Sequence, residues 1–166
     1  SLGPLLVAVE LVLVVSLGIH MAMAFRVVVA NRRAHDHRIT QRASEERSWA
    51  ARLMPLSGIM IFIFLVKHLV DFTFREKAQA ELHGHLVNDV YGMVLARFQN
   101  DPGHTAFYVL FMVAVGLHLS HALQSSLQTY GLHVPRHGSK IKLASMLLAI
   151  AMAATFAIIP VAAFLK

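Results

Sequence analysis

The sequence predicts an all-α protein, a single transmembrane helical bundle of four spans, and three observations carry that prediction. Of its 166 residues 57% are hydrophobic and only 14% charged, whereas soluble domains average about 45–50% apolar and about 25% charged. Four apolar runs reach the roughly 20 residues that a helix needs to cross a bilayer. Three of those runs hold a histidine well inside them, at His20, His68 and His118, where hydrocarbon makes a polar group costly.

The first run extends from about Pro4 to Val29 and the second from Leu53 to Phe74. The third extends from Thr105 to Gln128 and the fourth from Leu143 to Leu165. Pro55 is expected in the first turn of the second helix, where its missing N–H does no harm. Pro160 is expected to kink or end the fourth. The chain opens SLGPLLVAVE without a methionine, which suggests a fragment or a processed chain. The first run is too long for a secretory signal and has neither a basic start nor a cleavage site of small residues.

Cysteine is absent. That excludes disulfides, a covalently attached c-type haem and a thiolate-ligated iron–sulfur cluster within this sequence. Any haem is therefore b-type, and any cluster belongs to a partner. The net charge of +6 does not indicate nucleic acid, because the basic residues flank apolar spans, where topology explains them. The segment after the first run carries Arg32, Arg33, Arg38, Arg42, Arg47 and Arg52, and the last loop carries Arg136, Lys140 and Lys142. The middle loop holds Arg75, Lys77 and Arg97 among more numerous acidic residues and histidines. The positive-inside rule then puts the basic segments in the cytoplasm, the middle loop outside, and the start of the chain outside. An outside start without a signal suggests one more helix ahead of this stretch.

Depth orders the histidines, at 1.5 Å per residue. Counted from the inner ends of their helices, His20 lies roughly 13 Å deep and His118 roughly 15 Å deep. Their helices run the same way, so the two can face each other at one level. His68 lies roughly 22 Å deep, about 7–9 Å further outward, with no partner of similar depth. Small residues flank His118, namely Ala114, Gly116, Ser120 and Ala122, and leave room for something flat to approach the backbone. A membrane histidine can also simply bond across a helix interface; two at matched depth favour a haem iron.

Other polar groups have two readings each. His121, three residues after His118, is a candidate for a ligand-supporting or haem-propionate contact. Arg26 caps a propionate or marks the membrane boundary. Glu10, about six residues inside the first helix, exchanges protons with a quinone or snorkels to the interface. Lys67 and Asp71, four apart, are spaced for a local ion pair. The loop histidines His35, His37, His83, His85, His104, His133 and His137 read as solvated, with metal binding by His83 and His85 as the lesser alternative.

Three stretches resemble the cytochrome b558 membrane anchor of succinate dehydrogenases and fumarate reductases, in its single-chain five-helix form. They are SLGPLLVAVELVLVVSLGIHMAMAFRV, SGIMIFIFLVKHLVDFTF and YVLFMVAVGLHLSHALQSSLQTYG, and the resemblance covers nearly the whole chain. The last is the most specific: a histidine followed four residues on by a small residue, then Leu-x-Ser, which selects His118 over His121 as ligand. The resemblance implies that these spans match the family's second to fifth helices, with its first helix and that helix's histidine missing. It implies haem b between the helices, ligated by His20 with His118, and His68 as ligand of a second, outer haem whose partner belongs on the missing helix. It implies a flavoprotein subunit and an iron–sulfur subunit docked on the cytoplasmic face. Electrons would pass between the last cluster and a membrane quinone, menaquinone by preference, in a succinate:quinone oxidoreductase. Nothing in this chain performs the succinate chemistry itself. Three alternatives stay open: a dihaem cytochrome b of a formate dehydrogenase, hydrogenase or nitrate reductase, a haem-free quinone-binding anchor, and a transporter using histidines as a proton relay. The last lacks the broken helices and inverted repeats usual for transporters.

Overall fold

A computed structural model describes residues 3–35, 49–131 and 138–166. The basic segments around Arg38, Arg42, Arg47 and Arg136, with His37, His133 and His137, lie outside the described residues. Two compact units result, Ser1–Arg47 and Ser48–Lys166.

The first unit is one helix, α1 (Gly3–His35). Its Gly3–Ala30 stretch has a mean hydropathy of 2.3, apolar apart from Glu10, His20 and Arg26.

The second unit holds α2 (Trp49–His68), followed without a break by a π-helical turn (Leu69–Thr73). A short hairpin comes next, with strands β1 (Gln79–Leu82) and β2 (His85–Asn88), then a short helix α3 (Val90–Phe98). Two long helices complete the unit, α4 (Pro102–Thr129) and α5 (Gly138–Phe164). With Gly3–Ala30, the stretches Leu53–Thr73, Pro102–Thr129 and Gly138–Phe164 make four helices long and apolar enough to cross a membrane. The chain is an all-α multi-pass membrane protein, as its apolar runs predict.

One expectation about proline needs correction. Pro55 lies inside α2 rather than in its first turn, because the helix begins at Trp49, before the apolar run. Of the two outcomes expected at Pro160, a kink or an end, the end does not occur, since α5 continues to Phe164. A proline ring removes one backbone bond and can be accommodated when neighbouring helices support the freed groups, and Pro160 is buried.

The middle loop is also more structured than a connector. The hairpin pairs Gln79 with Asn88 and Leu82 with His85. His83 and Gly84 at its tip both have positive φ, 52° and 79°, the signature of a tight type I′ turn. Asp89 caps α3 by accepting from the Gly92 amide at 2.8 Å. Asp101 caps α4 by accepting from the His104 amide at 2.8 Å, with Pro102 pre-set in the first turn.

Between α4 and α5 small residues set the spacing. A Cβ added to Gly116 would lie 3.1 Å from the Ala153 Cβ and 3.6 Å from the Ala149 carbonyl oxygen. Ser145, Ala149 and Ala153 recur every four residues on α5, and Ser145 and Ala149 are buried. This small-residue stripe lets backbones approach closely, which is how helices associate in lipid, where apolar side chains gain little by leaving it.

Candidate functional site

Two groups of polar side chains lie within the spans of the second unit. The first is centred on His118. Ser57 of α2 is buried, and its Oγ lies 3.1 Å from the His118 Nδ1. The same hydroxyl donates to the Met54 carbonyl of its own helix at 3.1 Å. Next to it, Gly58 presents bare backbone to the imidazole: a Cβ there would lie 3.5 Å from the His118 Cε1. Ser57 and Gly58 thus hold one edge of the ring from the facing helix, a contact that sequence reasoning missed. The small pair Ser-Gly is the signal that marks a close crossing.

The second group lies toward the other end of α2, centred on Asp71. The π-helical turn widens the helix there, as such turns often do at specialised sites, and the carboxylate side chain is fully covered. Lys67 Nζ donates to it, giving the expected local ion pair. Arg97 Nη2, from the end of α3, donates as well. Tyr108 Oη of α4 donates at 2.8 Å. His104 Nε2 stands 3.2 Å from the Asp71 Oδ2, but that nitrogen and Arg97 Nε make no directional hydrogen bond among the described residues. One buried carboxylate therefore gathers two cations, a phenol and an imidazole from three helices. A cavity of about 260 Å³ opens beside it, with Asp71, Arg75, Asp89 and Arg97 in its wall.

His104 is a correction. It does not lie in a solvated loop: Asp101 starts α4 early enough to bring it into the first turn, and its side chain is only 9% exposed. His85 is exposed as expected, and His83 lies at the hairpin tip. No group of three or more metal-ligating side chains occurs among the described residues.

An aromatic cluster separates the two polar groups. Tyr108 meets Phe64 edge-on at 5.1 Å and Phe98 at 4.9 Å, and Phe64 stacks on Phe111 at 5.7 Å. Edge-to-face pairs at such distances are worth about 0.5–1.5 kcal/mol beyond the area they bury. His68, the last residue of α2, borders this cluster, with Phe64 and Phe72 at 5.7 and 5.2 Å between ring centroids. It sits level with Tyr108, ten residues from His118, so the two histidines are about 15 Å apart along the helix axes. This exceeds the separation expected from depth, because His118 meets Ser57, eleven residues before His68 on α2.

His121 lies one turn beyond His118 on α4, half-buried. Glu10, His20 and Arg26 all lie on α1, in the first unit. No family model, curated protein or solved structure matches this chain.

Proposed function

We propose that the chain is a membrane-anchor cytochrome b subunit of a succinate:quinone oxidoreductase, passing electrons between an iron–sulfur partner and a quinone such as menaquinone. The observation that carries this reading is His118. It is an imidazole inside an apolar span, held on one edge by Ser57 and flanked by the bare backbone of Gly58. The three stretches that resemble the cytochrome b558 anchor, and the matched depth of His20 and His118 along the sequence, support it further.

The donor set suits a haem b. With no cysteine, imidazole is the soft-enough, neutral ligand that the spans supply, and two imidazoles fill both axial positions of an iron reserved for electron transfer. A haem held by His20 and His118 would supply reversible one-electron chemistry. The chain's own residues would set its environment: apolar spans exclude water, Arg26 and His121 are the candidates for propionate contacts, and His68 is the ligand candidate of the outer half. Glu10 is the candidate for proton exchange with the quinone. The basic segments face the cytoplasm in this reading, with the flavoprotein and iron–sulfur subunits docked there, and the start of α1 faces outside.

The test is a reduced-minus-oxidised spectrum and pyridine haemochrome of the purified protein. A low-spin b-type haem lost in both His20→Ala and His118→Ala supports the reading. A Soret band absent from the unsubstituted protein, or surviving both substitutions, removes it.

A further inference from the structure

The cavity beside Asp71 lies where two spans end. The second span stops at Thr73 and the third begins at Pro102, while the charged wall comes from Asp71, Arg75, Glu76, Asp89 and Arg97. In a bilayer that is the level of the lipid headgroups, at the edge of the hydrocarbon. At about 260 Å³ the cavity is smaller than the roughly 300–1,000 Å³ of pockets that enclose drug-sized ligands. It suits a polar head whose tails stay outside.

The charges of the wall separate into used and unused groups. Asp71 is taken by Lys67, Arg97 and Tyr108, and Asp89 caps α3 through Oδ1. Arg97 gives Nη2 to Asp71, but its Nε is buried without a hydrogen bond among the described residues. A buried charged donor is costly unless an acceptor reaches it. Arg75 and Glu76 are exposed, and neither enters the ion pairs of the described residues. What is left is a set of guanidinium donors for an anion and one carboxylate for a cation. A bare phosphate would satisfy the first but would meet three carboxylates, Asp71, Glu76 and Asp89. A zwitterion satisfies both.

We propose that this cavity binds the headgroup of a phosphatidylethanolamine-type phospholipid, with its phosphate on Arg75 and the Arg97 Nε and its ammonium on Glu76, beside Asp89. Guanidinium–phosphate hydrogen bonds are charge-assisted and strong. A primary ammonium has three N–H groups to give to carboxylates, whereas the trimethylammonium of a choline lipid has none and is recognised by aromatic faces. No aromatic ring lines this wall. Val66, Val70 and Phe74 leave exposed apolar side chains at the adjoining end of the second span, where acyl chains can lie. The proposal goes beyond the electron-transfer reading and does not depend on it.

Native mass spectrometry of the delipidated protein, titrated in detergent with one lipid at a time, tests it. Phosphatidylethanolamine should bind about tenfold more tightly than phosphatidylcholine, the low end for a hydrogen bond to a charged group. Glu76→Gln should erase that preference, and Arg75→Gln should weaken both lipids about tenfold. Lys77→Gln, outside the wall, should change neither. The Arg75 and Glu76 side chains are exposed, so both variants should keep the parent's circular dichroism. Equal binding of the two lipids by the parent, or a preference that survives Glu76→Gln, overturns the proposal. So does tighter binding of phosphatidylglycerol, which would mark a site for phosphate alone. Free phosphoethanolamine bound as tightly as the lipid would put a soluble phosphate ester in the cavity, and that too overturns it.

Discussion

Tyr108 of α4 donates its hydroxyl to Asp71 of the π-helical turn after α2 at 2.8 Å, joining two spans through a carboxylate that is fully covered. Asp71 also pairs with both Lys67 and Arg97, its single negative charge shared between the two cations. Removing the charge strands both cations, whereas removing the phenol loses one bond. Asp71→Asn is expected to cost about 3 kcal/mol of stability, the lower end of the range for a broken buried pair, because Lys67 and Arg97 remain partly exposed. Tyr108→Phe should cost about 1–1.5 kcal/mol. Thermal unfolding in detergent, followed by circular dichroism, measures both. A neutral Asp71→Asn would show that the cations are solvated well enough without it.

The α4–α5 contact gives a second prediction. The hypothetical Cβ at Gly116 lies 3.1 Å from Ala153, so an alanine there needs a small shift and a leucine needs the helices to part. Gly116→Leu should destabilise by about 1–3 kcal/mol, as overpacking does. Gly116→Leu combined with Ala153→Gly should recover part of that loss. The same unfolding experiment reads the recovery, and no recovery in the pair would place the strain elsewhere.

A third prediction separates the two histidines of α4. His118→Ala should abolish the haem that His20→Ala abolishes, while His121→Ala should keep it bound, with at most a shifted potential. Pyridine haemochrome on the three variants decides it. Retention in His118→Ala with loss in His121→Ala would reverse the assignment.

The fourth concerns Glu10 in α1. Glu10→Gln keeps the shape and removes the exchangeable charge, so quinone turnover should slow while the haem spectrum stays unchanged. Turnover equal to the parent with a quinone substrate would take Glu10 out of the site.

The spans were readable from the sequence because hydropathy over a span's length is a local property. The Lys67–Asp71 pair was readable for the same reason, since it spans a single turn. Arg97, His104 and Tyr108 were not assigned to Asp71, because contacts so distant along the chain leave no trace in spacing. One signal for His104 does lie in the sequence. Asp101 followed by Pro102 is a helix-start pattern, and placing the cap there brings His104 into the first turn of α4. The hairpin is harder to see: Gln79–Leu82 and His85–Asn88 are four residues each, and Ala, Glu and Gln have little preference for strands. Ser57 carries no such signal, because one hydroxyl in an apolar run usually bonds only its own helix. It does so here as well, and its second contact is a property of the crossing.

The π-helical turn at Leu69–Thr73 makes chain length itself a variable of this protein. A π turn takes up about one residue more than an α turn, so removing one residue there leaves the helix beyond it nearly in phase while Asp71, inside the turn, moves around the axis. Deleting Val70 would let the turn close as ordinary α-helix without changing any side chain that Asp71 meets. The carboxylate would then be out of phase with Arg97 and Tyr108, like a gear assembled one tooth off. The orientation of Asp71 is thus encoded by a count of residues as much as by their chemistry, and an insertion or deletion at that point would disturb it more than most substitutions nearby.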